Sequence, residues 1–295
     1  MSLVIRPIEY NDAKNCGKIG YQAHKTISSA HGYPSEWPSE EFGIGLIRSL
    51  LENPNSWGVL AERQGKTLGS IFLHKFPPSP AAVIGPLTVH PSAEGGGVGR
   101  MLMDAALTQA YEQNYDQIRL VQSPSHIRSF VLYTKYGFTL REPLLLMQGQ
   151  PLKNINNTSS ANFRPVRNDN DVSVCNELCK SVHGFSREME LRQAKDQGAA
   201  TMIEQDGVVT GYAAGLGILG HTVAKSNEEL KALIINASAI LGPGFFVPAR
   251  NHELVNWLFK NAFQIGWPAN LMTIGPYQDP VTPFLPSLAY QVMDS

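Results

Sequence analysis

The chain has 295 residues, enough for two domains of ordinary size, and its 24 Lys plus Arg against 25 Asp plus Glu leave no basic field for nucleic acid or an anionic membrane. There is no apolar run of the roughly 18 residues needed to cross a bilayer, and no charged-then-apolar leader. The three cysteines, Cys16, Cys175 and Cys179, are too few for a disulfide framework, which points to a reducing, cytoplasmic setting.

In chain order, a strand is expected at Leu3–Ile8 and a helix from Ala13 to Ile27 with Asn11 as its cap. A loop from Ser28 to Ser39 carries His31, Tyr33 and Trp37. A second helix runs from Glu40 to Leu51, and strands at Trp57–Glu62 and Thr67–His74 are joined by Gln64-Gly65, a hairpin-type turn. An apolar strand, Val83–Val89, leads through a glycine-dense run into a helix at 100–113. A strand at 117–122, a helix at about 126–136 closed by Gly137, and a strand at 139–147 follow. The expected class is α/β, a mixed sheet flanked by helices.

The run Val89-His90-Pro91-Ser92-Ala93-Glu94-Gly95-Gly96-Gly97-Val98-Gly99-Arg100 is the most informative segment. A glycine-rich turn between a strand and a helix aims backbone N–H groups at a guest, and the helix N-terminus adds partial positive charge there. A phosphate-loop reading fails because Arg100-Met101 follows Gly99 where Lys and Ser or Thr are needed. A dinucleotide fingerprint fails because Arg100 or Leu102 falls where the third glycine belongs. The remaining pattern, Val89-x-Pro91-x-x-Glu94-x-x-Gly97-x-Gly99, resembles the acetyl-CoA loop of the GNAT N-acetyltransferase superfamily, although that family usually has Gln or Arg at the position of Glu94. Further on, Leu132-Tyr133-x-x-Tyr136-Gly137-Phe138 resembles the superfamily's Leu-Tyr-x-x-x-Gly-Phe signature. On the helix preceding Gly137, His126, Ser129 and Tyr133 form one stripe, apart from the core-facing Ile127, Phe130, Val131 and Thr134.

The resemblance implies a sheet that splays between the strands at 83–89 and 117–122, with the pantetheine arm of acetyl-CoA inserted there. It further implies donor contacts from Leu87, Thr88, Val89 and the loop residues Glu94, Gly95, Gly96, Gly97, Val98, Gly99 and Arg100. His126, where the family often has Asn, and Ser129 are expected beside the pantetheine arm. Tyr133 is expected to protonate the leaving thiolate, a thiol of pKa about 8.5 for which such help is useful but not indispensable. Backbone N–H groups near Leu87 and Thr88 are candidate oxyanion donors. Acetyl-CoA is thus the expected acyl donor, with no metal, and the acceptor is a small-molecule or peptide amine. His31, Tyr33 and Trp37, amphipathic groups on the loop between the first two helices, are candidate acceptor contacts. Glu62, His74, His31 and Glu40 are candidate bases by residue type and position. The loop reads only the CoA moiety, so a longer acyl group such as succinyl is equally compatible, and a non-catalytic acyl-CoA sensor is the alternative to an enzyme.

Residues 149–161, polar and nearly devoid of apolar periodicity, read as a linker between a domain at 1–148 and another at 162–295. The second half repeats the first in order. Ile5-Arg6-Pro7 returns as Phe163-Arg164-Pro165, Gly65 to Gly69 as Gly207 to Gly211, and Phe138 with His126 before it as Phe263 with Asn251 before it. Two tandem domains of the acyl-CoA N-acyltransferase type are therefore expected. The repeat lacks the glycine loop: Lys225-Ser226-Asn227-Glu228-Glu229 stands there, with Ser226 and Glu229 spaced as a capping box, and Leu258 replaces Tyr133. The second copy is expected to keep the fold, to have lost the donor site, and to supply a wall of the acceptor pocket. Cys175 and Cys179, one helical turn apart, are expected as small buried hydrophobes.

Overall fold

The structure, a computed structural model, describes residues 2–152 and 162–288. The first half contains β1 (Val4–Pro7), α1 (Ala13–Ala30), α2 (Glu40–Glu52), β2 (Ser56–Arg63), β3 (Lys66–Lys75), β4 (Ala81–Val89), α3 (Val98–Glu112), β5 (Gln117–Gln122), α4 (Ile127–Lys135) and β6 (Thr139–Gln148). The second contains β7 (Asn162–Pro165), α5 (Asp169–His183), α6 (Glu188–Asp196), β8 (Ala200–Gln205), β9 (Val208–Ala214), β10 (Thr222–Ala224), α7 (Asn227–Asn236), β11 (Phe245–Pro248), α8 (His252–Lys260), β12 (Gln264–Ile274) and β13 (Phe284–Leu285). Most of the expected linker, 153–161, and the end of the chain, 289–295, lie outside the described residues.

Local chemistry explains the elements. Gln64 and Gly65 both take left-handed backbone, as do Asp206 and Gly207 at the same place in the second half, which is what a two-residue hairpin turn requires. Along β2 and β3 successive side chains alternate between faces. Val59, Ala61, Ile71 and Leu73 pack toward α3, while Leu60 and Phe72 pack with α1 and α2. The α1–α2 crossing is close because Gly17 and Gly43 face each other; a Cβ on Gly17 would come within 2.5 Å of the Ile44 nitrogen. Asn11 does not cap α1. It lies in a short 3-10 turn, Tyr10–Asp12, held by the Asp12 carboxylate, which accepts the Glu9 N–H at 2.9 Å and two hydrogen bonds from Arg6.

The same device recurs in the second half. Arg6 pairs with Asp12 at 2.6 Å and Glu62 at 3.0 Å; Arg164 pairs with Asp171 at 2.7 Å and Glu204 at 2.9 Å.

The two halves exchange their last strands. One sheet has the order β1-β2-β3-β4-β5-β12-β6-β11, and the other β13-β10-β9-β8-β7. β12, near the end of the chain, thus sits between β5 and β6, and β6 carries β11 on its far side. The registers are reciprocal: Met272 opposes Leu120 and Leu271 opposes Val121, while Met147 opposes Phe245 and Leu146 opposes Phe246. At the seam β6 and β12 run antiparallel from Gln148↔Gln264 to Thr139↔Thr273, so each half completes the other's sheet.

β4 and β5 are parallel and pair only at Ala81–Val83 with Gln117–Arg119. Beyond Val83 they part, leaving the expected splay. The pairing of β4 with β3 also skips between Ile71↔Leu87 and Leu73↔Ile84, so β4 bulges at Gly85-Pro86 on the edge of that gap.

Candidate active site

The splay opens into a cavity of about 1150 Å³, above the range of about 300–1,000 Å³ usual for a single small-molecule pocket. Its walls come from β4, the glycine loop, β5, α4, α1, α2 and the second half.

The loop is built for a guest. Gly95 and Gly97 have φ of 78° and 84°, and a side chain at either would be strained although nothing stands in its way. Gly97 is the N-cap of α3 and offers no side-chain oxygen. Among the described residues, the N–H groups of Gly95, Gly97, Val98, Gly99 and Arg100 have no backbone acceptor. Gly95, Gly97, Gly99 and Arg100 line the cavity, as do Leu87 and Val89 of β4. Gly96 and the side chains of Val98 and Thr88 do not; Val98 is in the core, and the Thr88 hydroxyl meets Ser70 at 3.3 Å on the opposite face of β4. The Glu94 carboxylate is turned across the cavity mouth to Arg128 of α4, at 3.1 Å.

α4 brings three expected residues to the same wall: His126, Ser129 and Tyr133. Tyr133 is buried beside Phe138, and its hydroxyl has no hydrogen-bond partner among the described residues. Burial pushes the phenol well above its usual range, so it stays protonated at neutral pH. Burial likewise holds the His126 imidazole below its usual range. Sequence reasoning missed Gln122, which holds this wall. Its Nε2 donates to the His126 carbonyl and the Ser129 hydroxyl, both at 3.1 Å, and its Oε1 accepts from Asn270 of the exchanged strand β12 at 2.9 Å. Only the strand exchange brings Asn270 there, and nothing local to Gln122 signals it.

The α1–α2 wall carries Trp37, whose ring stacks on His24 at 4.9 Å. His24 Nδ1 lies 3.3 Å from the carboxylate of Glu36, which also lines the cavity. Burial pushes the Glu36 carboxyl up, but His24, Ser123 and His126 outweigh it and hold it below the usual carboxylate range. Of the other expected acceptor contacts, His31 is exposed with Nδ1 on the Ile27 carbonyl, and Tyr33 is exposed; neither lines the cavity.

None of the four candidate bases lines the cavity. Glu62 pairs with Arg6, and Glu40 with Lys18 at 3.1 Å. His74 stands behind the β4 bulge. Burial pushes its imidazole down to about 4, so the ring is neutral, donating from Nε2 to the Gly85 carbonyl at 2.6 Å with Nδ1 facing Ser56 at 2.8 Å. It supports the bulge. Glu36 and His24 escaped sequence reading because no motif marks them; they reach the cavity through the close α1–α2 packing.

The matching place in the second half is arranged differently. The Ser226 hydroxyl caps α7, accepting the Glu229 N–H at 3.4 Å and donating to the Glu229 carboxylate at 2.7 Å. Asn227 and Asn251 exchange side-chain hydrogen bonds at 3.1 and 2.8 Å, tying the start of α7 to the start of α8. Leu258 is fully buried. Cys16, Cys175 and Cys179 are buried free thiols. Among the described residues no group of three or more His, Cys, Asp or Glu is placed to hold a metal ion, and no helix is long and apolar enough to cross a membrane.

Residues 25–138 match the model of the Acetyltransferase (GNAT) family. The whole chain shares its fold with a putative acetyltransferase from Pyrococcus horikoshii, with TM-score 0.68 and 17% identity, covering 98% of this chain and 92% of the other. It also shares its fold with a tandem GNAT protein from the clavulanic acid biosynthesis pathway, with TM-score 0.52 and 16% identity, covering 94% and 100% of the two chains. A mycothiol acetyltransferase from Jonesia denitrificans is 32% identical over 77 residues, which are 26% of this chain and 24% of that protein. The match therefore spans about a quarter of the length of this curated relative.

Proposed function

We propose that the protein is an acetyl-CoA-dependent N-acetyltransferase whose first half binds the donor and carries the chemistry. The observation that carries this reading is the open N-terminus of α3, where four residues whose backbone N–H groups lack backbone acceptors, Gly95, Gly97, Gly99 and Arg100, line the same cavity as Tyr133. These groups suit the pyrophosphate of the donor, and the gap between β4 and β5 suits its pantetheine arm. The second half, sealed by Ser226 and the Asn227–Asn251 pair, binds no donor.

The bound donor supplies an acetyl thioester. The amine nitrogen of the acceptor bonds to the acetyl carbon as the carbon–sulfur bond breaks. The acceptor ammonium first releases one proton to solvent to become the nucleophilic amine; Glu36, ionised and recessed in the wall, takes the second proton as the carbon–nitrogen bond forms, directly or through one water, and passes it to solvent. Tyr133, kept protonated by burial, gives its proton to the departing sulfur and is reprotonated from solvent. The products are an amide and free CoA thiol. A binding-only module has no need of a buried phenol and a recessed carboxylate on the same cavity, and this favours the enzyme over the sensor.

The test is thiol release from acetyl-CoA by the full chain in the presence of a mixed panel of primary amines. Amine-dependent release that falls in the Tyr133→Phe protein is expected. Tight donor binding with no release under any amine supports the sensor instead.

A further inference from the structure

The cavity is shared between the halves, and their contributions differ in chemistry. Among the described residues the second half supplies Ile218, Leu219, Phe246, Trp267 and Leu288, together with glycine, proline and alanine positions, and no charged side chain. The first half supplies Trp37 and, beside it, Glu36. Glu94 on the same wall is tied to Arg128, whereas Glu52 is exposed at the outer end. Glu36 is therefore the one recessed carboxylate on this wall, among the described residues, with no Arg or Lys partner.

Resting on the acetyltransferase reading, we infer that the acceptor is a primary amine on an apolar, aromatic or alkyl body, and that the second half is the module that selects it. The geometry is that of a polar wall from α1 and α2, carrying Glu36, His24, Arg48 and Glu52, facing an apolar wall from the second half. An ammonium meets Glu36 on entry, and the carbon body lies against Phe246, Trp267 and the Ile218–Leu219 segment. Burying that body is favourable. A polyamine would leave further ammonium groups without carboxylates, and a peptide would leave buried amides without partners on this wall. The second half thus contributes to the reaction without a donor site of its own, by shaping the acceptor end of a cavity whose donor end lies in the first half.

The experiment uses the full chain and two readouts. Acetyl-CoA binding is measured by calorimetry, and thiol release is then followed with phenethylamine and octylamine against spermidine and a short peptide with a free N-terminus. The expected result is a kcat/KM for the apolar amines at least about 100-fold above that for spermidine or the peptide. Leu219→Asp, a change at a half-exposed position, is expected to lower kcat/KM for phenethylamine about tenfold or more through KM, with acetyl-CoA binding unchanged. Acetyl-CoA binding with measurable release that is no faster for the apolar amines than for spermidine or the peptide overturns this inference alone, whereas binding with no release from any amine overturns the acetyltransferase reading as well. Absence of acetyl-CoA binding overturns the acetyltransferase reading, and this inference with it.

Discussion

The N-termini of α3 and α7 occupy matching places in the two halves, and they are finished in opposite ways. α3 starts at Gly97 with no side-chain cap and its first N–H groups open to the cavity; α7 starts at Ser226 with its hydroxyl on the Glu229 N–H and its neighbour Asn227 bound to Asn251. The fold around them is the same, down to the Arg6–Asp12–Glu62 and Arg164–Asp171–Glu204 triads. A helix terminus must satisfy its N–H groups with something. In α7 the Ser226 side chain meets this need, whereas in α3 the free N–H groups are left to water or to a guest in the cavity. The difference is made by a few residues on one turn.

The comparison breaks most severely if the halves are separated. Removing residues 162–295 takes β12 from between β5 and β6 and exposes both strand edges. The expected product aggregates or lacks a cooperative thermal transition by circular dichroism; a soluble fragment with full acetyl-CoA affinity would show that the exchanged strand is dispensable. Next in size is Gly97→Val. A β-branched residue at φ of 84° strains the backbone by about 1–2 kcal/mol and distorts the N–H cradle. Acetyl-CoA affinity is expected to fall about tenfold or more by calorimetry, in proportion to a loss of that size or larger. Tyr133→Phe is expected to lower kcat by about 10- to 100-fold with little change in KM for acetyl-CoA, the modest end of acid catalysis suiting a thiolate leaving group. An unchanged kcat removes Tyr133 from the chemistry.

Acid sharpens the resemblance between the halves. The Arg164 guanidinium beside Asp171 holds its carboxyl down, to about 2. A depressed carboxyl contributes stability fully present above its unfolded value of about 3.8 and lost as pH falls through about 2. Asp12 is depressed by Arg6 in the same direction. Replacing Asp171 by Asn is therefore expected to lower the melting temperature at pH 7 and to flatten its acid dependence between about 4 and 2. A parallel pH profile for variant and parent contradicts this. The smallest expected effect is that of Ser226→Ala, a loss of about 1 kcal/mol of stability with acetyl-CoA binding unaltered.

Much of this was legible in the chain. The strand and helix order of the first half follows the family resemblance, while the glycine loop and the Gln64-Gly65 turn rest on local chemistry; the helix carrying Tyr133 lies where expected, but Ile127, Val131 and Thr134, expected to face the sheet, are exposed. The splay of β4 from β5 was reached only through resemblance to a family, because two apolar strands do not declare where they part. The strand exchange was invisible, since β6 and β12 carry nearly equivalent patterns and either satisfies the edge of β5. The α1–α2 wall of the cavity was half legible. Trp37 lines the cavity, whereas His31 and Tyr33 of the same loop do not, and Glu36 and His24 come to it through the close packing of α1 on α2 at Gly17 and Gly43. Long-range packing sets those positions, and no local spacing records it.

The most direct test of the account is the stoichiometry of acetyl-CoA binding to the full chain by isothermal titration calorimetry. One site per chain, abolished or strongly weakened by Gly97→Val and untouched by Ser226→Ala, is the result expected of one open and one sealed helix terminus. Two sites per chain, or a single site that survives Gly97→Val unchanged, would contradict it.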